Sequence, residues 1–377
     1  MSGPRLLLAG CGHAHLFVLE ALAHGRLPGV RATLVSPAES YFYSGMIPGV
    51  LAGRYAPEQA RLRPPRLARA AGAEWVRGSV ARVDAHAWEV TLADGRSLGY
   101  DLLSLDVGSA LAADDLPGVA EHAIPVKPMQ EALRIASAAE AAVERLARRQ
   151  ARIVVAGGGP AGVEVALCLG AGLARRSGGR FVLTLLEAGD ALLAGYPEAF
   201  RERAAGVLRG RGVEVRTGTA VERVEAGEVR TGGGAAVPFD VLVWATGPRA
   251  PSLFRDSNLP TDGRGYLRVG PTLQAVGNDD VFAAGDCAAL EGAPWVAKAG
   301  VYAVREGEAL PSILESVLAG RDPEPYRPQR DWLSLMNTGD GRALLAWRGL
   351  VEHGRGAWLL KDSIDRRFMR RFRRLEG

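Results

Sequence analysis

Two stretches far apart in the chain constrain its fold more than anything else: RLLLAGCGHAHLFVLEAL from Arg5 and RIVVAGGGPAGVEVALCLG from Arg152. Each begins with a short apolar run, passes through closely spaced glycines and continues into a longer apolar-periodic segment. That order reads as strand, tight turn and helix. A helix starting at such a turn presents free N–H groups and the positive end of its dipole at one point, which suits a phosphate. Two such units predict the α/β fold class, with two Rossmann-like dinucleotide-binding domains built on parallel sheets. The second is expected to be inserted in the first, because a late strand, DDVFAAGDCA from Asp279, reads as returning to the first unit. The expected division is residues 1–118 with 266–310, residues 119–265, and a small C-terminal α+β domain over 311–377.

The second turn keeps the whole pattern. Gly157 permits the tight turn, Gly159 lets a pyrophosphate approach the backbone, and Gly162 lets helix and strand pack closely. RFVLTLLEAGD supplies the next strand and ends on Glu187, near the ~20-residue spacing of an acid that takes a ribose 2′-hydroxyl. A carboxylate there favours NADH over NADPH, whose 2′-phosphate it repels. The first turn departs from the pattern. Gly10 and Gly12 are present, but His15 replaces the third glycine and the next strand ends at Ser36, where an acid is usual. His15 implies a wider helix–strand gap and reads as a histidine satisfied by a backbone carbonyl. His13, at the start of the helix, is closer to where a pyrophosphate would lie. Two further apolar strands, YDLLSLDVGS and FDVLVWATGPRAP, end in small-residue turns; the second carries Ala245-Thr246-Gly247, the first Asp106-Val107-Gly108. Asp286, after Gly285 at a strand end, suits a polyol hydroxyl.

In combination these motifs resemble, over residues 5–310, the two-dinucleotide flavoproteins of the pyridine nucleotide–disulfide oxidoreductase superfamily. That superfamily includes type II NADH dehydrogenases and sulfide:quinone oxidoreductases. The resemblance implies FAD in the first turn, NAD(P)H in the second, and the flavin ribityl chain on Asp286. It adds Val80, Gly108, Gly247, Gly285 and Gly300 to the cofactor-binding set. Glu164 matches the family glutamate near the nicotinamide; the other reading is a helix-start carboxylate favoured by the dipole. Lys298 falls at the start of the family's flavin-facing helix, where a cation stabilises reduced flavin, and Tyr43, Met46 and Pro48 would wall the ring. The stretches GCGHAHLFVLEAL, LVSPAESYFYSGMIPGVLAGRY and WLLKDSIDRRFMRRF also look like a bacterial branch associated with selenide, water dikinase. His13, His15 and Ser36-Pro37 fit that branch.

The three cysteines, Cys11, Cys168 and Cys287, are far apart in sequence, which argues against a zinc site and a dithiol relay. YFYSGMIPGVLAG, where the superfamily's disulfide reductases carry their pair, contains none. The resemblance then implies hydride transfer from NADH to FAD and electron transfer to an external non-thiol acceptor, foremost a quinone. Val301 and Arg305 stand where type II NADH dehydrogenases carry two glutamines, so the usual quinone site is altered. Two other readings stay open: a reductase for a protein or selenium-pathway partner, and a flavoprotein that senses NADH without turnover.

No signal peptide and no apolar run of ~20 residues is evident, so the expected location is cytoplasmic, with peripheral attachment to the inner face of the plasma membrane open. In KDSIDRRFMRRFRRLEG, Ile364, Phe368, Met369, Phe372 and Leu375 share one helix face and arginines the other. Residues 361–375 therefore read as an interfacial helix on an anionic bilayer, or as a packing helix against the body or the second subunit of a homodimer. The net charge of +4 is small, and the basic face lacks the interleaved aromatics of a nucleic-acid groove.

Overall fold

The computed structural model describes residues 3–111, 116–146 and 149–377. Two five-stranded parallel sheets share one plan. The first runs Val281–Ala283, Leu102–Leu105, Arg5–Ala9, Arg31–Ser36, Glu74–Arg77; the second runs Ala123–Pro125, Val241–Trp244, Ala151–Ala156, Phe181–Leu186, Glu214–Arg216. Each central strand is apolar throughout because both of its faces are covered. Leu6 and Leu8 enter one core while Leu7 and Ala9 enter another; Ile153 and Val155 part from Val154 and Ala156 in the same way. The strand Val281–Ala283 joins the first sheet after the second sheet is complete, so the second unit is inserted in the first.

The internal likeness extends past the glycines. Between its third strand and its closing strand each unit carries a three-stranded antiparallel meander, Val80–Gly99 in one and Val221–Pro238 in the other. Both meanders shift register beside their first residue, at Val80/Arg82 and at Val221/Arg223, as a β-bulge does. The turns correspond as closely. Gly10 has φ 91° and Gly157 φ 112°, and a Cβ would stand 2.3 Å from the Asp106 carbonyl oxygen in one and 2.4 Å from that of Ala245 in the other. Only glycine accommodates both the conformation and the contact.

The C-terminal segment is α+β. Strands Ser334–Asn337, Ala343–Trp347 and Leu350–Gly354 form an antiparallel sheet, and helix Arg355–Arg373 follows. Met336 and Leu344 extend the core of the second unit, whereas Met369 and Phe372 join that of the first. Phe368 stacks on Tyr43 at 4.4 Å, Phe372 meets Phe17 edge-on at 5.1 Å, and Arg371 pairs with Glu20 at 2.5 Å. The packing reading of 361–375 therefore holds for its main apolar residues. The outward apolar groups lie at the hairpin tip, Trp347 and Leu350, and earlier on the helix, at Leu359, Leu360 and Ile364.

Candidate active site

A single cavity of about 2430 Å³ runs between the two sheets' glycine turns to the C-terminal helix, and its wall includes Gly10, Gly12, Gly157, Gly159, Glu164 and Lys361. Val80, Gly108, Gly247, Glu187, Asp286 and Gly300 also face it. Gly162 and Gly285 stand behind the wall. A Cβ on Gly162 would meet the Gly157 carbonyl oxygen at 1.8 Å, and the Gly285 N–H donates to Glu306 Oε2 at 2.5 Å.

At the first turn the two histidines divide. His13 is on the wall, its ring nitrogens 3.1 Å from the Tyr41 hydroxyl and 3.4 Å from that of Ser44. His15 is fully buried, with Nδ1 2.7 Å from the Gly10 carbonyl oxygen and Nε2 2.8 Å from Ser104 Oγ. The carbonyl partner was foreseeable; the serine inside a buried strand was not. Burial lowers both imidazoles to about 4, so both are neutral near pH 7. Ser36 is buried at the wall, donating to the Ala38 carbonyl and accepting from Trp75 Nε1 at 3.0 Å. Asp106, which the sequence marked only as a departure from Ala-Thr-Gly, accepts the N–H groups of Ala14 at 2.8 Å and His15 at 3.0 Å.

At the second turn Glu187 is locked across the glycines. Its two oxygens accept from Gly158 N–H at 2.6 Å and Gly189 N–H at 2.7 Å. The adjacent Thr246 hydroxyl is buried and has no hydrogen-bond partner among the described residues. A Cβ built on Gly159 or Gly247 would touch nothing within 4 Å, so the cradle here is open. An orphaned hydroxyl beside open glycines on a large cavity fits a polar ligand with phosphates.

Asp286 Oδ2 accepts from Lys127 Nζ at 2.7 Å and Ser109 Oγ at 3.0 Å. Burial pushes the Asp286 carboxyl up, but Lys127 and Ser109 outweigh it and hold it below the usual carboxylate range. Lys127 was not singled out from the sequence; its scarcity was the available signal, the chain having only Lys127, Lys298 and Lys361. Lys298 reaches the wall, but its ammonium is committed to the Ala288 carbonyl and lies 4.3 Å from the centre of the Tyr266 ring. Tyr43 and Pro48 line the cavity as expected, whereas Met46 is absorbed into the core.

The C-terminal helix contributes a polar cluster that sequence reasoning missed. Lys361 and Asp365, one turn apart on the inward face, pair at 2.9 Å and are 8% and 5% exposed. Lys361 also donates to the Gly45 carbonyl at 2.8 Å. Glu164 belongs to this cluster: its carboxyl accepts Asn337 N–H at 2.6 Å, and burial raises it to about 7 despite the attraction of Lys361. The signal in the sequence was a lysine and an aspartate on the same face as Phe368 and Phe372. The three cysteines are free and buried; Cys11 alone reaches the cavity wall, and burial pushes its thiol far up. Among the described residues no cysteine pair flanks the cavity.

Residues 4–307 match the family model for pyridine nucleotide-disulphide oxidoreductases. The chain belongs to that family. Among relatives of this pyridine nucleotide-disulphide oxidoreductase, demethylphylloquinone reductase NdbB of Synechocystis sp. is 30% identical over 193 residues, 50% of this chain and 46% of that protein. The external alternative NAD(P)H-ubiquinone oxidoreductase B2 of Arabidopsis thaliana mitochondria is 29% identical over 216 residues, 52% of this chain and 37% of that one. The matches thus span about half the length of these relatives or less. The structure of NDH2 from Plasmodium falciparum in complex with NADH superposes with a TM-score of 0.83 at 14% identity, covering 98% of this chain and 97% of that one, and shares its fold.

Proposed function

We propose that the chain is an FAD-dependent NADH dehydrogenase that delivers electrons to a quinone. The observation that carries this reading is the one continuous cavity joining both glycine turns to the Glu164–Lys361–Asp365 cluster without a cysteine pair. Residues 1–118 with 266–310 form the FAD-binding domain and 119–265 the NADH-binding domain. When bound, flavin supplies the means to accept a hydride and release its electrons to a second substrate. The chain's own residues position and protonate. In the first domain Gly10, Gly12 and His13 receive the diphosphate, and Asp286, whose two donors both use Oδ2, keeps Oδ1 to accept a ribityl hydroxyl. In the second, Gly157 and Gly159 receive the nicotinamide dinucleotide's diphosphate, the Thr246 hydroxyl gains its missing partner, and Glu187 selects NADH by repelling a 2′-phosphate. Reducing a quinone consumes protons. Glu164, raised to about 7, holds one near neutrality and passes it from its carboxyl oxygen; Lys361 keeps the cluster from accumulating negative charge.

Relatives whose names specify demethylphylloquinone and ubiquinone support this acceptor class. Trp347, Leu350, Leu360 and Ile364 are half exposed and also line the cavity. An apolar rim beside an arginine-rich helix suits peripheral attachment to the inner face of a membrane. Among the described residues no helix is long and apolar enough to cross one. The test is anaerobic. NADH should bleach the flavin band of the purified protein faster than NADPH does, and a short-chain quinone should restore it. Bleaching that no quinone reverses removes the quinone from the proposal; flavin that stays oxidised removes the dehydrogenase and favours NADH sensing.

A further inference from the structure

The two turns differ at one position behind the glycines. Strand registers pair Ala9 with Leu105 and Ala156 with Trp244, so the residues that follow, Asp106 and Ala245, are structural equivalents. Each donates its N–H to the central strand at 2.8 Å. At the second turn the Ala245 methyl would lie 3.4 Å from a Cβ on Gly162, and no side-chain acceptor occupies the Ala161 and Gly162 N–H groups among the described residues. At the first turn the equivalent N–H groups, on Ala14 and His15, are both taken by Asp106 Oδ2. Its other oxygen lies against the glycines, 2.2 Å from where a Cβ on Gly12 would stand and 2.9 Å from one on Gly285. The chain has thus placed an anion of its own on the helix end where a dinucleotide diphosphate is to be received.

We infer that Asp106 must take up a proton when the diphosphate binds, so that the first turn binds its dinucleotide with proton uptake and the second binds without it. The reason is electrostatic. A diphosphate diester keeps both charges throughout the neutral range, and two anions sharing a water-poor cradle cannot both remain ionised. The groups facing Asp106 do not supply the missing positive charge. His13 and His15 are neutral, the Cys11 and Cys287 thiols and the Tyr41 phenol are pushed up by burial, Asp286 is held by Lys127, and Glu306 is itself raised to about 8, with Lys298 only partly offsetting its burial. Asp106 itself is raised by burial to about 7 before any diphosphate arrives.

This inference rests on the reading that FAD occupies the first turn. The test uses the full-length holoprotein, diluted to equilibrium between pH 6.5 and 8.5, with released FAD read by its fluorescence. The dissociation constant of the wild type should rise about 20-fold across that range, as one proton linked to a group near 7 requires. Asp106→Asn should flatten the dependence to within about threefold, Glu306→Gln should leave it steep, and the pH dependence of NADH affinity should be the same in all three. A wild-type FAD affinity independent of pH, or a dependence that Glu306→Gln abolishes, overturns the inference even if Asp106→Asn does not fold. A protein that carries no flavin defeats the underlying assignment of the first turn instead.

Discussion

Replacing Lys361 by methionine keeps the length of the side chain and deletes its charge. In the native structure that charge is almost sealed from water, with Asp365 at 2.9 Å and the Gly45 carbonyl at 2.8 Å, and it also attracts Glu164. Breaking a buried pair by removing one partner costs about 3–5 kcal/mol, because the other charge is stranded. Here the stranded group is a carboxyl that escapes by binding a proton, so the lower end, about 3 kcal/mol at pH 8, is expected. At about 2.1 cal/mol/K per residue the unfolding entropy of the 377 residues is roughly 0.8 kcal/mol/K, so the melting temperature should fall by about 4 °C. The sign with pH follows. In the variant Asp365 and Glu164 have folded-state values raised above their unfolded ones. The folded state then binds more protons, and stability falls as pH rises through the folded values. The loss should therefore be smaller at pH 6 than at pH 8. Lys361→Met with Asp365→Leu should recover most of it, since an apolar pair of similar volume is tolerated. Thermal melts at both pH values decide the matter, with stopped-flow reduction by NADH as the control for an intact nucleotide site. A single variant as stable as the wild type at pH 8, or a double variant no better than the single, would refute the reasoning.

Glu187→Ala removes the acceptor of two N–H bonds at 2.6 and 2.7 Å; the KM for NADH should rise about tenfold and the preference over NADPH should shrink, which steady-state kinetics with both nucleotides checks. Lys127→Met strands Asp286, whose side chain is only 14% exposed; flavin content after purification should drop well below the wild-type ratio of flavin to protein. Gly162→Ala pushes a methyl to within 1.8 Å of the Gly157 carbonyl, so NADH should no longer bleach the flavin although the flavin is retained. Trp347→Glu with Leu350→Glu should abolish co-sedimentation with anionic vesicles and leave the anaerobic reduction of the flavin by NADH unchanged.

The α/β architecture, the second unit inserted in the first and the small C-terminal α+β segment were legible because they rest on local signals. Glycines at a fixed spacing after an apolar strand leave few conformational options, and a parallel strand buried on both faces must be apolar throughout. What the sequence concealed depends on residues brought together from distant segments. Lys127 meets Asp286 across the junction of the two units, and Lys361 meets Glu164 only because the last helix folds back on the body. Lys298 shows the converse. Its position suggested a cation for the cavity, and it does reach the wall, but a carbonyl ten residues away and the Tyr266 ring, neither visible in the sequence, orient it. The amphipathic pattern of the last helix was correctly read as one face, but periodicity states that a face is apolar and not what covers it; Phe17 and Tyr43 do.

The late arrival of Val281–Ala283 has a consequence for synthesis. The strand Leu102–Leu105 leaves the ribosome long before the partner that pairs along its outer side. At 5–20 residues per second the wait is on the order of ten seconds or more. Throughout that interval it is an apolar edge strand with unsatisfied backbone groups, the kind of surface that recruits other nascent chains. The inserted unit, continuous in sequence, can fold while its host is still open, and the chain closes from the inside outward.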